Sequence, residues 1–258
     1  MPRIRWVQGA LLAGALFCSV AYAATDCPSG HIDAHARVAH VIDGDTVVLA
    51  DGRHVRLIGI DTPELGHDGK PSQPFAQAAR RALMRLLAGS GDSVALRYGR
   101  TRHDHYGRTL AHLFLADGAS VSAALLREGY ATALVVPPNL WNVACYGRAE
   151  SSARDGHEGI WALPRYRPLS ARALPAGAQG FHIVHGRVVH TGRSRNAQWI
   201  DLEGGVALRI DRKDLAYFGG VDFKSLRGAR ISVRGWIHSR RGKHIIALRH
   251  PRALTILR

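Results

Sequence analysis

Three short stretches of this chain decide its fold: Asp43-Gly44-Asp45-Thr46, Arg56-Leu57-Ile58-Gly59-Ile60-Asp61-Thr62-Pro63-Glu64, and Asp104-His105-Tyr106-Gly107-Arg108. Together they supply several carboxylates and two arginines. Carboxylates hold hard divalent cations through oxygen, and the arginine fork matches phosphate oxygens with a charge that it never loses. A site that cleaves phosphate esters needs both kinds of group.

Each stretch taken alone has a simpler structural explanation. An Asp-Gly-Asp sequence is usually a turn, an arginine within a strand is usually a solvated edge residue, and Tyr-Gly-Arg is usually part of a loop. All three in this order within a β-rich region are hard to assign to turn chemistry alone, so the combination favours a functional site.

The combined pattern resembles the staphylococcal nuclease (thermonuclease) family. The resemblance runs from Ala36 to Trp161 and contains Val-Ile-Asp-Gly-Asp-Thr at 41–46, the stretches at 56–64 and 104–108, and Glu-Gly-Ile-Trp at 158–161. It implies an α+β fold in which a five-stranded OB-like β-barrel carries three helices. It also implies a Ca²⁺-dependent nuclease, a hydrolase acting on ester bonds, with DNA and RNA as substrates.

The resemblance assigns catalytic roles to three residues and a substrate contact to a fourth. Glu64 matches the general base that activates water, Arg56 and Arg108 match the arginines that stabilise charge on the phosphoryl oxygens, and Tyr106 is expected beside the substrate. The family pattern implies cleavage of the 5′-O–P bond, which leaves 3′-phosphate ends. Contacts to phosphate carry no sequence information, so broad substrate acceptance is expected.

A Ca²⁺ site is likewise implied by the resemblance, with Asp45, Asp61 and the carbonyl of Thr62 as ligands. Spacing alone does not distinguish Ca²⁺ from Mg²⁺. Strand alternation places Asp61 on the face opposite Arg56, unless Gly59 marks a bulge or bend that realigns them.

One segment departs from the family. Two tyrosines that pack on the bound nucleotide are expected after the second helix, but residues 133–138 read Ala-Leu-Val-Val-Pro-Pro. Aromatic stacking is worth about 1–3 kcal/mol per base, so we expect weaker binding of short substrates with the catalytic residues intact.

Hydrophobic periodicity and turn residues predict the element order. Ser72 and Asn139 are candidate N-caps of the first and third helices, and Gly89 is expected to end the first. In the first part of the chain, strands are predicted at 37–42, 46–50, 53–60, 93–98 and 109–115, and helices at 74–88, 119–128 and 140–154. Further strands are predicted at 181–189, 197–202, 206–210, 230–238 and 244–248.

The chain is predicted to comprise four segments. Residues 1–23 are a signal peptide, 24–162 the catalytic domain, 163–180 a linker rich in Pro and Gly, and 181–258 a basic, β-rich C-terminal domain that is a second, OB-like barrel. Trp199 and Trp236 of that domain are expected in its core.

The first segment indicates export. Arg3 and Arg5 precede a short apolar run that ends in Ala21-Tyr22-Ala23, the form of a cleavage site. Cleavage after Ala23 predicts a secreted or periplasmic protein with no stable membrane insertion, whereas a membrane anchor and a lipoprotein site at Cys18 are the alternatives. The remaining Cys27 and Cys145 then predict one disulfide, against two free thiols.

Charge is distributed unevenly. Residues 24–179 contain 17 Lys and Arg against 15 Asp and Glu, but residues 180–258 contain 16 against 5, a net charge of +11. This asymmetry predicts a polyanion partner for the C-terminal domain, and the alternative is a basic surface with no dedicated ligand. Arg193, Arg195, Arg240, Arg241 and Lys243 lie in its predicted loops.

Two other functional classes compete with a nuclease. The fold could serve as a non-catalytic nucleic-acid-binding module, but such copies usually lose the acidic residues or arginines that are all present here. The 15 histidines could bind metal in a protein of the cell envelope, but none lies beside a CxxC motif or within an HExxH motif. The sequence does not specify an oligomeric state.

Overall fold

The computed structural model describes residues 27–66, 68–240 and 243–257, and its first seven strands build a closed barrel with a small ribbon beside it. Five strands close the ring in the order β1-β2-β3-β6-β5, and β4 pairs with β7. The bounds are β1 Ala34–Val41, β2 Thr46–Leu49, β3 His54–Leu57, β4 Ile60–Asp61, β5 Ser93–His103, β6 Thr109–Phe114 and β7 Thr132–Ala133. The predicted five-stranded OB-like barrel is thereby confirmed.

Three helices pack against this barrel: α1 Ala76–Ala88, α2 Val121–Arg127 and α3 Val143–Asp155. Alanines and leucines of α1 at helical spacing are buried. The two predicted caps are wrong. Helix α1 follows Phe75, whereas the Ser72 hydroxyl accepts a bond from the Gly66 N–H in the preceding loop. The Asn139 side chain instead bonds both backbone groups of Thr101.

Gly59 divides the strand that was predicted as 53–60. It lies between β3 and β4 with φ of 88°, a left-handed conformation that favours glycine. A Cβ at this position would collide with the Tyr146 ring, so the close approach also requires glycine. The turn interrupts side-chain alternation and returns Asp61 to the side of Arg56, which corrects the simple parity prediction.

The C-terminal part contains seven strands, and five of them form a second closed ring. The bounds are β8 Leu169–Ser170, β9 Gly180–Arg193, β10 Ala197–Leu202, β11 Val206–Asp211, β12 Arg230–Arg240, β13 Lys243–Ala247 and β14 Leu254–Leu257. Strands β9, β10, β11, β13 and β12 follow one another around the ring, and β12 pairs back with β9. As in the first barrel, the third and fifth strands pair in parallel. The sequence did not predict β8 or β14.

The two barrels have separate apolar cores, and a third cluster lies between them. In that cluster Tyr166 lies between Trp161 and Phe181, with ring centroids 5.7 Å from each. The segment predicted as a linker contains two short 3₁₀ turns and β8. The division of the chain into domains stays a prediction.

A disulfide joins Cys27 to Cys145 of α3, with the two Cα atoms 5.7 Å apart. This separation lies within the range that a disulfide spans. The bridge ties the segment before β1 to α3. The predicted signal peptide, including Cys18, lies outside the described residues. Among the described helices, none has the length and apolarity to cross a membrane.

Candidate active site

Arg56 is the centre of a buried ionic cluster at the end of β3. Its Nε lies 3.0 Å from Oδ1 of Asp45, and its Nη2 lies 3.1 Å from Oδ1 of Asp61. Its Nη1 donates to the carbonyls of Leu57 at 2.6 Å and Ile60 at 2.9 Å. The guanidinium therefore holds the two acidic residues and the Gly59 turn together.

Asp45 joins this cluster to Thr62, the residue after β4. Its Oδ2 accepts bonds from the N–H of Thr62 at 2.9 Å and from the Thr62 hydroxyl at 3.0 Å. Its Oδ1 also accepts from the Thr46 hydroxyl at 3.2 Å. The structure thus brings Asp45, Asp61 and Thr62 together, and Asp45 and Thr62 are each only 5% exposed.

The cluster contains more negative than positive charge. Burial by itself lowers the pKa of Arg56, but Asp45, Asp61, Asp43 and Glu64 raise it above its ordinary value. Burial is the main cause that raises the pKa of Asp61 to about 7, with contributions from Asp45 and Glu64 against the opposing effect of Arg56. Four carboxylates therefore act electrostatically on one guanidinium, and two of them, Asp45 and Asp61, contact it.

Asp43 belongs to this site although the sequence assigned it no role. Its Oδ1 accepts a bond from the Asp45 N–H at 2.9 Å. Burial, followed by the neighbouring Asp45 carboxylate, raises the pKa of Asp43 to about 6. Its place in the same Asp-Gly-Asp turn was the signal that could have identified it.

The donor chemistry of this cluster fits a hard divalent cation. Within residues 27–66, 68–240 and 243–257, no three or more His, Cys, Asp or Glu side chains are grouped to hold a metal ion. Asp45 and Asp61 nevertheless offer carboxylate oxygens in a site whose negative charge Arg56 does not balance. A cation with oxygen ligands would relieve that imbalance.

Glu64 lies at the mouth of the cluster on the exposed loop after β4. Its N–H donates to Oε1 of Gln73 at 3.3 Å, and its carbonyl accepts from the Gln73 N–H at 2.9 Å. These two bonds close the loop at its ends. The Glu64 carboxylate acts electrostatically on both Arg56 and Asp61, so it lies near the same site.

Arg108 is held in the turn between β5 and β6 by Asp104. The Asp104 carboxylate accepts bonds from the N–H groups of Tyr106 at 2.9 Å and Arg108 at 3.0 Å, and from Arg108 Nε at 2.7 Å. Burial raises the pKa of Asp104, but these bonds lower it below its ordinary value. Tyr106 is 73% exposed, and the Arg108 guanidinium lies 5.4 Å from its ring centroid.

Arg56 and Arg108 line one cleft of about 500 Å³. Arg249 from the second barrel lines it too, together with Leu134, Val136 and Pro137 of the segment that lacks the expected tyrosines. Arg249 Nε lies 3.3 Å from the buried Asp214 carboxylate, and its Nη2 donates to the Pro137 carbonyl at 3.5 Å. No sequence signal pointed to Arg249, because its approach depends on how the two barrels pack.

A second cleft of about 340 Å³ lies between the barrels and reaches Asp61. At its wall the Arg234 guanidinium of β12 forms an ion pair with Glu150 of α3, and both residues are largely buried. Trp236 also lines this cleft, and its hydrogen bonding to Asp61 lowers the pKa of that carboxyl against the larger effect of burial. Trp236 is half-buried in the cluster between the barrels, not in the core of its own barrel.

Comparisons with known proteins identify the family of this chain. The profile of the family described as "Staphylococcal nuclease homologue" matches residues 54–163. Thermonuclease from Staphylococcus intermedius is 39% identical over 127 residues, which cover 48% of this chain and 74% of the relative. Thermonuclease from Staphylococcus hyicus is 34% identical over 49% of this chain and 75% of the relative. "Probable endonuclease LCL3" from Schizophyllum commune is 34% identical over 42% of this chain and 40% of the relative. The chain belongs to the staphylococcal nuclease family.

Proposed function

We propose that the protein is an exported, Ca²⁺-dependent nuclease that hydrolyses phosphodiester bonds in DNA and RNA. The observation that carries this proposal is the meeting of Arg56 and Arg108 in one cleft beside the buried carboxylates Asp45 and Asp61. The relatives named as nucleases support the same activity. Export is supported by the signal-like residues 1–23.

Asp45, Asp61 and Thr62 would hold the Ca²⁺ ion. When bound, the ion supplies neutralising charge beside the phosphate and helps to orient it. Asp45 and Asp61 are already fixed by Arg56, so these ligands are pre-positioned. Thr62 is buried and bonded to Asp45, which fixes the backbone at the third position.

The chain's own side chains divide the remaining work. Glu64, exposed at the mouth of the cluster, accepts the proton of the attacking water. Arg56 and Arg108 stabilise the charge that develops on the phosphoryl oxygens in the cleft that both residues line. Tyr106 and its neighbouring Arg108 contact the substrate at the exposed rim. The resemblance to the family supports 3′-phosphate products.

The test is incubation of the purified protein with single-stranded DNA or RNA, in Ca²⁺ or in excess chelator, with identification of the product ends. We expect cleavage only with Ca²⁺ and 3′-phosphate ends. Undiminished cleavage in chelator would exclude the metal requirement. Binding without any cleavage would instead support the non-catalytic alternative.

Two substitutions test the assigned residues in the same assay. Asp45→Ala is expected to lower activity severely, and Glu64→Ala to lower turnover while thermal unfolding is unchanged, because Glu64 is exposed. Asp155→Ala, at an exposed carboxylate on the last residue of α3, is the matched control. Turnover of Glu64→Ala equal to that of the control would remove Glu64 from the mechanism.

A further inference from the structure

The second barrel has the same connections between strands as the first. In each, the ring order is first, second, third, fifth and fourth strand, with a parallel pair between the third and fifth. Barrels with this OB-like connectivity commonly bind oligonucleotides on the face of the second and third strands, flanked by the loops after the first and fourth strands. In the second barrel that face belongs to β10 and β11.

This face contains a hollow of about 380 Å³. The hollow exists because small residues stand among large ones. Gly192 of β9 lies directly across from Trp199 of β10, and Ala207 of β11 lies across from Asp201 and from Ile245 of β13. The His190 imidazole occupies the space beside Gly192, where a Cβ would lie 2.7 Å from its Cε1, so a larger residue at this position would displace the imidazole.

Trp199 is held in place for contact with a ligand. Its neighbours Gln198 and Ile200 are buried, whereas Trp199 is half-buried and lines the hollow, contrary to the expectation that it lies in the core. Its indole N–H donates to the Ser194 hydroxyl at 3.1 Å. The Arg209 guanidinium lies 5.9 Å from the ring centroid on the neighbouring strand.

Cationic side chains lie at both ends of the hollow. Arg193 is the last residue of β9 and Lys243 the first of β13, and both line the hollow and are exposed. Within the part of the chain that the structure describes, neither has a side-chain partner. The one carboxylate of the hollow, Asp201, lies 3.2 Å from the His190 imidazole. The two cations outnumber this carboxylate, so the formal charge of these side chains is positive.

We propose that this hollow binds single-stranded nucleic acid, with a base stacked on Trp199 and backbone phosphates at Arg193 and Lys243. An aromatic ring that lines a hollow between cations can hold single strands, because every base offers a π-face and the backbone offers phosphates. A duplex keeps its base faces stacked and cannot use Trp199. The inference rests on the proposed nuclease function for the class of ligand, and it adds a binding site away from the Arg56 cleft.

The test is binding of a labelled oligothymidylate of about 16 nucleotides, the upper site size of one OB fold, to the full chain in chelator, with the oligonucleotide checked for integrity afterwards. Trp199→Ala is expected to weaken binding about 5- to 100-fold, and Trp199→Phe to retain most of it. Tyr217→Ala, at a half-buried aromatic outside the hollow, is the matched control and should bind as the wild type does. Arg193→Gln and Lys243→Gln should each reduce the salt slope by about 0.7.

Equal binding by Trp199→Ala and Tyr217→Ala would overturn the proposal. The proposal would also be overturned if Trp199→Ala lost as much affinity for a sulfated polysaccharide as for the oligothymidylate. A sulfated polysaccharide has no bases, so this result would identify a carbohydrate site. Cleavage of a dinucleotide ester, measured in parallel with Ca²⁺, reports the proposed activity alone. If Trp199→Ala weakens binding and the wild type does not cleave, the proposed binding site stands and the nuclease proposal is refuted. If the wild type cleaves and Trp199→Ala binds as well as the control, the nuclease proposal stands and this binding site is refuted.

Discussion

Arg234→Met removes one partner of the ion pair that joins the two barrels. The Arg234 side chain is 18% exposed and the Glu150 side chain 5% exposed, so the substitution leaves a carboxylate in a nearly dry site. Arg234 also donates to the Ala133 carbonyl at 3.3 Å, and its guanidinium lies 5.4 Å from the Phe181 ring centroid. Methionine keeps much of the apolar contact and removes the charge.

The expected loss follows from the burial of Glu150. Removing one partner of a buried pair costs about 3–5 kcal/mol, because the other charge is left uncompensated. Glu150 keeps a bond from the Ala133 N–H at 2.6 Å, so we expect the lower end, about 3 kcal/mol. With a urea m-value of about 3 kcal/mol per M, the unfolding midpoint falls by about 1 M.

Urea unfolding followed by tryptophan fluorescence measures this loss. Arg230→Met, at an exposed arginine of the same strand, is the control and should change stability by less than about 0.5 kcal/mol. The double variant Arg234→Met/Glu150→Gln should recover most of the loss, because the amide still accepts from Ala133 and carries no charge. A loss equal to that of the control, or no recovery in the double variant, would refute the reasoning.

Three further outcomes are expected. Arg56→Lys should lower turnover about 10²-fold or more, because an ammonium cannot reproduce the fork that contacts both carboxylates; turnover equal to wild type would contradict this. For His112, burial and then Arg97 lower the pKa to about 3, so the unfolded chain takes up the proton first. Its contribution to stability is complete above about pH 6.5 and declines below it, by about 2 kcal/mol at pH 5. Urea unfolding above pH 6.5 and at pH 5 should show that His112→Gln loses less unfolding free energy in acid than the wild type does. An equal loss in both proteins would exclude His112 as its source. Cys27→Ser/Cys145→Ser should lower the free energy of unfolding by about 2–5 kcal/mol because the bridge closes a long loop, and unchanged unfolding would show that the bridge does not constrain the chain.

Local patterns were sufficient for the parts of the fold that depend on neighbouring residues. Strand 197–202 was predicted with the bounds that the structure has, and α1 ends at Ala88, just before the predicted Gly89. Asp51-Gly52, a typical hairpin turn sequence, lies between β2 and β3, with Gly52 at φ of 86°. Alternation, helical spacing and turn residues act over a few positions, so a single sequence contains them in full. The first two motif stretches likewise contain Arg56, Asp45 and Asp61, so the sequence alone identified these residues as site candidates.

Only the tertiary structure decided how these residues meet. The parallel pairing of β3 with β6 places Arg56 across from Leu110, close to the Arg108 turn, and the turn at Gly59 brings Asp61 to the Arg56 guanidinium. Arg249, the Glu150–Arg234 pair and the hollow at Trp199 depend on pairings between strands and barrels that are far apart in the chain. Such contacts form because separate apolar faces must be buried against each other, and local periodicity shows that a face exists without showing which partner covers it.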